Sequence, residues 1–312
     1  MSSSPRVTES SVRTRTMASL QRNLGRTQQA QDQISSGKQL NRPSDSPTGT
    51  VTALQLRGEV RANKKYSANA DDAVGRLGVV QDNLQSSVEL LTVARNLTLE
   101  ARNGGQSTPE ANKARAAQLE QLKGNLVQFA NSKYLDRPVF GGSTPDSSAY
   151  DNSGKFVGEG AGETLRAIGP NAKVRVDVRG PEVFGADQID DPAGSGTKVD
   201  NPNQMFKVLD NIIDAMKSGD ADALDTGLQN LDKASDLVKS TLSDVGARYN
   251  RVTQMKQSSE DRLMSVSSQL SDIEDVDLPK AIMELQLQQT SYQAALAATA
   301  KVIQPSLIDF LR

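Results

Sequence analysis

Two narrow stripes, one near each end of the chain, constrain the fold more than any other feature. Near the start, Leu20, Leu24, Thr27, Gln31 and Ile34 recur at alternating spacings of four and three. Near the finish, Ile282, Leu285, Gln289, Tyr292, Leu296, Thr299 and Ile303 do the same. Each is a single a/d seam, the pattern of a helix that docks on one partner helix. Each dilutes its aliphatics with a Gln and a Thr, so neither is apolar enough to stand alone in water. The pattern predicts that the two ends close on each other as an antiparallel coiled coil. A chain built this way reads as an assembly component before it reads as an enzyme.

Composition agrees. Of 312 residues only 36% are apolar and 4% aromatic, with no Trp, which suits thin helical layers better than a thick core. The 36 basic and 38 acidic residues are interspersed, so neither nucleic acid nor an anionic membrane is expected as a partner. Cys and His do not occur. Their absence removes disulfides, thiolate metal sites, the His general base and nearly all zinc chemistry. No catalytic residue, cofactor or metal is therefore expected, and only a carboxylate-based or Ser–Lys enzyme stays open. No stretch approaches the length of a membrane span. The opening Met-Ser-Ser-Ser-Pro-Arg lacks the apolar run of a secretory signal. The expectation is a cytosolic protein, or one that leaves by a route needing no such signal.

Along the chain, residues 1–16 are Ser, Thr and Arg with few apolar groups, a composition expected to stay disordered when unpartnered. The first seam stops at Ser35-Ser36-Gly37, and the segment from Pro43 to Pro47 breaks any helix. From Leu56 a heptad-like register runs through Tyr66, Ala70, Ala73, Leu77, Val80, Leu84, Leu91, Ala94 and Ala101. Thr108-Pro109 reads as an N-cap with Pro in the first turn of the next helix. That helix carries Leu119, Leu122, Leu126 and Phe129 on one stripe. After Phe140-Gly141-Gly142 the composition turns to Gly, Pro, Ser and Asp. Val174, Val176 and Val178 there alternate at the strand period. A hairpin about Asn152-Ser153-Gly154 would set Tyr150 near Phe156. Helix resumes with Met205, Leu209, Ile212 and Met216 and breaks at Gly219. The longest register follows, from Leu224 through Val238, Val252 and Val266 to Ile273. It stops at Asp277-Leu278-Pro279, a second hinge with Asp277 as N-cap.

The expected fold is therefore mainly α with a small β-rich insert, an elongated helical hairpin or bundle. Its expected parts are a terminal assembly helix over 1–42, a helical core half over 43–142, and the insert over 143–200. The second core half follows over 201–279 and the partner terminal helix over 280–312.

Three motifs have plainer readings than the chemistry they suggest. Gly158-Glu159-Gly160-Ala161-Gly162 lacks the Lys-Ser/Thr of a phosphate loop and reads as a turn. Asp220, Asp222 and Asp225 resemble a calcium loop, but Leu224 and Leu231 would fill two ligand positions, so helix capping fits better. Gln28, Gln29, Gln31 and Gln33, like Gln286, Gln288 and Gln289, lie within a heptad as polar faces and register-setting positions.

At this point the residues resemble a known family, the flagellins and hook-associated proteins of bacterial flagella. The front match is Leu20-Gln21-Arg22-Asn23-Leu24, Gln33-Ile34-Ser35-Ser36-Gly37-Lys38 and Pro43-Ser44-Asp45. The back match is Gly246-Ala247-Arg248-Tyr249-Asn250-Arg251 and the run from Tyr292 to Lys301. The ending Ser306-Leu307-Ile308-Asp309-Phe310-Leu311 fits as well. Ser46 departs from the more usual Asp. The Ser-Gly-Lys and Pro-Ser-Asp forms are similar to those of members at the hook–filament junction.

The resemblance implies a structural adaptor joining hook to filament, exported unfolded by the flagellar type III system and assembled as a ring through its terminal helices. It implies contacts with a hook-side hook-associated protein and filament flagellin, and a cytosolic export chaperone near the C-terminus. It also implies a location on the flagellum after residence in the cytoplasm. The residues expected at the assembly interface are Leu20, Leu24, Gln31, Ile34, Ile282, Leu285, Gln289, Tyr292, Leu296, Ile303, Leu307, Phe310 and Leu311. A filament flagellin is the alternative, and a secreted carboxylate hydrolase carried by the insert is a third reading. Counting outward from the hinges predicts that Gln31 meets Gln289 and Thr27 meets Tyr292. The insert is expected to be dispensable for assembly.

Overall fold

The computed structural model describes residues 9–103, 108–142, 148–158, 162–191 and 197–303. The helices are α1 (Glu9–Ser36), α2 (Pro47–Arg102), α3 (Pro109–Ala130), α4 (Gly180–Phe184), α5 (Met205–Ser218), α6 (Ala221–Glu274) and α7 (Leu278–Ile303). The strands are β1 (Lys133–Tyr134), β2 (Arg137–Pro138), β3 (Leu165–Ala167), β4 (Lys173–Arg175), β5 (Gln188–Asp190) and β6 (Lys198–Asp200). Each strand pairs antiparallel with its neighbour in sequence, giving three separate ladders among the described residues. The chain divides into two compact units: residues 63–261 form one, and residues 1–62 with 262–312 form the other.

In the larger unit the inward line of α2 is Ala70, Ala73, Leu77, Val80, Leu84, Leu91, Ala94 and Ala101, all buried. Ser87 and Thr98 complete the heptad and are fully buried, although an apolar pattern passes over them. Their hydroxyls donate to Asn83 O at 2.7 Å and Ala94 O at 2.8 Å, so neither of these two buried hydroxyls lacks an acceptor. From α6, Leu224, Leu231, Val238, Val245 and Val252 face the same core. Thr108 caps α3 by accepting from Ala111 N at 3.3 Å, with Pro109 in the first turn. Gly219, at φ +76°, ends α5. Asp220 then caps α6 by accepting from Asp222 N and Ala223 N at 3.1 and 3.0 Å, as the capping reading expects.

The segment after Phe140 is part of this core. Phe140, Tyr150, Phe184 and Phe206 are buried to within 1% and stack mostly edge to face, with Tyr150–Phe206 centroids 5.2 Å apart. Ile168, Val174, Val176, Val178 and Val183 join them against the helices. The described residues of the 143–200 segment thus pack their buried apolar side chains into the same core as the helices. Ladders of two or three residues cannot bury a face alone, so this part of the chain completes the helical layer.

The expected hairpin forms. Tyr150 and Phe156 bridge, and Asp151 Oδ1 accepts from Ser153 N and Lys155 N, each at 2.9 Å. At the turn's tip Gly154 has φ +86°, and a side chain there would overlap Phe206. The valines of the Val174–Val178 run point inward as expected, but Asp177 between them is also fully buried. It accepts from Thr164 N at 2.7 Å and pairs with Arg175 at 3.4 Å.

In the smaller unit the first hinge is a side-chain-stapled turn. Asp45 Oδ2 accepts from Arg42 N at 2.8 Å and Asn41 N at 3.2 Å. Ser46 caps α2 by accepting from Gly49 N at 3.2 Å, so Ser supplies the cap oxygen that an Asp would. At the second hinge Asp277 caps α7, accepting from Lys280 N at 3.2 Å. Residues 9–16, expected to be disordered only when unpartnered, are helical here as the start of α1. The physical reason is that α1 packs on α7, which supplies the partner that an isolated polar helix lacks.

Candidate assembly interface

The inner ends of the two terminal helices meet at a clip built around Glu274, the last residue of α6. Its side chain is only 4% exposed and receives Lys38 Nζ at 2.9 Å on Oε2. Arg57 Nε lies 2.5 Å from Oε1 as a close ion pair. Burial alone would push this carboxyl's pKa up, but the contacts to Arg57 and Lys38 outweigh it and hold it below the usual glutamate range. The backbone repeats the link: Gln39 N donates to Glu274 O at 2.6 Å and Val276 N to Gly37 O at 3.0 Å. Gly37 takes φ +69°, the left-handed conformation that ends α1 and turns the chain into this bridge.

From the clip α1 and α7 run antiparallel. On α1 the covered residues are Leu20, Asn23, Thr27, Ala30 and Ile34; on α7 they are Ala281, Leu285, Gln288, Tyr292, Ala295 and Thr299. Both lines alternate by four and three, as expected, but each is rotated from the sequence reading at some positions. Leu20, Ile34, Leu285 and Tyr292 face the partner helix. Leu24, Ile282 and Leu296 are 45%, 45% and 44% exposed, and Gln31 and Gln289 are exposed. Small residues, Ala30 and Ala281 among them, take the seam because close approach favours short side chains. Ile303 ends α7, and Leu307, Phe310 and Leu311 lie outside the described residues.

The expected Gln31–Gln289 contact is not made within the chain. Backbone bonds at Gly37, Lys38 and Gln39 fix Val276, Asp275 and Glu274 as partners. Both glutamines are exposed, off the covered lines of α1 and α7, because the helices are rotated so that Ala30 and Gln288 take the seam in their place. One side of the pair is a polar groove of about 400 Å³ lined by Arg26, Gln29, Gln33, Lys280, Glu284 and Gln288, among others.

Acidic groups of the insert hold structure together. Asp187 Oδ2 accepts from Phe156 N at 3.1 Å, and Asp177 and Asp151 are held as above. Glu182 binds Arg175 at 2.9 Å and Arg179 at 2.6 Å. Burial acts to raise its pKa, yet the two arginines keep it below the usual range. Among the described residues no cluster of three or more carboxylates is placed to hold a metal ion, and no helix is long and apolar enough to cross a membrane.

A paired N- and C-terminal helix closed at a clip, with long helices between them in sequence, is the arrangement of a flagellin-like helical protein. Residues 7–137 match the bacterial flagellin N-terminal helical region and residues 228–311 the C-terminal helical region. The chain belongs to the bacterial flagellin family. It is 25% identical over 282 residues to flagellar hook-associated protein 3 of Escherichia coli, spanning 86% of this chain and 87% of that one. It is also 25% identical over 301 residues to the flagellin of Bacillus subtilis, spanning 93% of each. The fold is shared with a flagellar hook-associated protein of Vibrio parahaemolyticus, at a TM-score of 0.62 and 18% identity, over 74% of this chain and 100% of that one. It is likewise shared with FlgL of Bacillus cereus, at 0.57 and 19%, over 70% and 99%.

Proposed function

We propose that the chain is the adaptor joining hook to filament at the flagellar junction, assembled as a ring through α1 and α7. The observation that carries this is what the helix pair leaves uncovered. Its seam hides mainly small and polar side chains, whereas Met17, Leu24, Ile282, Met283, Leu287 and Leu296 are 44–65% exposed. A helix apolar on more than one side is one that ends up surrounded, and α7 is such a helix. Weak pairing also suits a chain threaded unfolded through an export channel, as does the lack of Cys. Partners on this reading are a hook-side hook-associated protein, filament flagellin and, before export, a cytosolic chaperone at the C-terminal region.

The similarity to Bacillus subtilis flagellin, as high in identity and longer in span, favours filament flagellin as the second reading. Immunogold labelling of isolated flagella separates the two. Label confined to the base of the filament supports the adaptor; label along the filament, or polymerisation of purified protein into long filaments, supports the flagellin.

A further inference from the structure

We infer that Met17 and Met283 are a modification site, where a two-electron oxidant such as hydrogen peroxide acts on the free chain and the resulting sulfoxides block its assembly. This rests on the assembly reading above and adds a chemistry that switches it. The methionines among the described residues divide by location. Met17 on α1, Met264 on α6 and Met283 on α7 are 60%, 77% and 64% exposed, and all three belong to the smaller unit. Met205 and Met216 on α5 are 0% and 1% exposed. Met255 on α6 packs against the same core, and these three belong to the larger unit.

A dissolved oxidant meets a thioether only where water does. The Sδ lone pair attacks one peroxide oxygen, an S–O bond forms and the O–O bond breaks. The thioether is oxidised to a sulfoxide, and the second oxygen leaves with both protons as water. The chain has no Cys to react first, and the thioethers that help hold the core are shielded. Oxidation therefore reaches the terminal helices while the larger unit keeps its packing. A thioether gives up little hydration when a partner covers it. A sulfoxide oxygen is a strong acceptor, and covering it without a donor costs a hydrogen bond to water. One turn on from Met283, Leu287 is 65% exposed, so a sulfoxide at Met283 interrupts an apolar surface. Met264 lies on α6, outside the terminal helix pair, and its oxidation measures dose without altering the pair. The change is reversible, because reductases specific for each sulfoxide epimer restore the thioether.

Isolated hooks from a strain lacking this protein, incubated with the purified full-length chain and then immunogold-labelled, give the readout. At a peroxide dose that converts Met264 completely, peptide mass spectrometry should find one added oxygen at positions 17, 264 and 283. Positions 205 and 216 should react about tenfold or more slowly. Labelled hook ends should fall about fivefold or more, and the two sulfoxide reductases should restore them. The double variant Met17→Leu/Met283→Leu, apolar but not oxidisable, should keep its labelling at the same dose. Equal oxidation at 205 and 216, or labelling that survives complete oxidation, overturns the inference. Loss of labelling in the oxidised double variant also overturns it and assigns the effect to Met264. An untreated chain that does not bind hook ends overturns the assembly reading and this inference with it, so the two failures are distinguishable.

Discussion

Glu274 and Lys38 lie 236 residues apart in sequence, yet they share a 2.9 Å hydrogen bond. With Arg57 on the same carboxylate, the last residue of α6 holds both the exit turn of α1 and the early part of α2. One buried carboxylate therefore ties together the bases of both terminal helices.

Replacing that residue should loosen both helices at once. Glu274→Ala leaves Lys38 and Arg57 without their acceptor, but both are nearly half exposed and can rehydrate. The cost should be about 2 kcal/mol, read by urea unfolding and by hydrogen exchange at the Gln39 and Val276 amides. Unchanged protection at those amides would show that the backbone ladder holds the clip alone.

The same carboxylate sets a pH dependence. Its folded pKa is depressed, so its contribution is fully present above the ordinary glutamate range and is lost as pH falls through the lower folded value. Exchange at Gln39 should quicken, relative to its intrinsic rate, between about pH 5 and 3. In Glu274→Gln that pH-dependent step should disappear; its persistence would assign the effect to another group.

The α1–α7 register can be read from size tolerance. Ala30 and Ala281 are 7% and 6% exposed, so Ala30→Leu should overpack the seam and cost about 1–3 kcal/mol. Gln31→Leu, one residue on, should change the free chain's stability by less than about 0.5 kcal/mol. The reverse ranking would restore the register in which Gln31 meets Gln289.

Deletion of residues 148–200 should destroy the cooperative melt of the larger unit, because it removes Tyr150, Ile168, Val174 and Phe184 from the shared core. Single truncations such as Phe184→Ala should already cost about 3–5 kcal/mol. A deletion variant that melts cooperatively at the parental temperature would show that the helices close without this segment, as the sequence alone suggested.

Tyr150 Oη is buried and makes no hydrogen bond, and burial, helped by the nearby Asp187 charge, drives its pKa well above the ordinary tyrosine value. Tyr150→Phe keeps the ring contacts and removes an unmatched polar group, so it should leave the melting temperature unchanged or raise it by a few degrees. A drop comparable to that of Tyr150→Ala would mean that the hydroxyl has a partner.

The sequence by itself determined the helices, their caps and the two hinges, because these follow from local rules: a 3.5-residue period, Pro in first turns, and Asp, Thr or Gly at ends. The register from Leu224 to Ile273 is buried or half-buried at every step, so a long unbroken repeat was enough to orient α6. The family likeness was legible for the same reason, since its motifs lie on those helices. Tertiary structure alone decided three things. Which of Leu24 or Asn23, and of Gln31 or Ala30, faces α7 depends on how closely two helices approach, and a polar seam leaves that open over one residue of rotation. The closure at the base of the pair depends on a backbone bridge between residues 37–39 and 274–276, which no side-chain pattern encodes. That the 143–200 segment shares the helical core depends on contacts between residues far apart in sequence. Short Gly- and Pro-rich strands look the same from sequence whether they lie over a helical layer or stand apart from it.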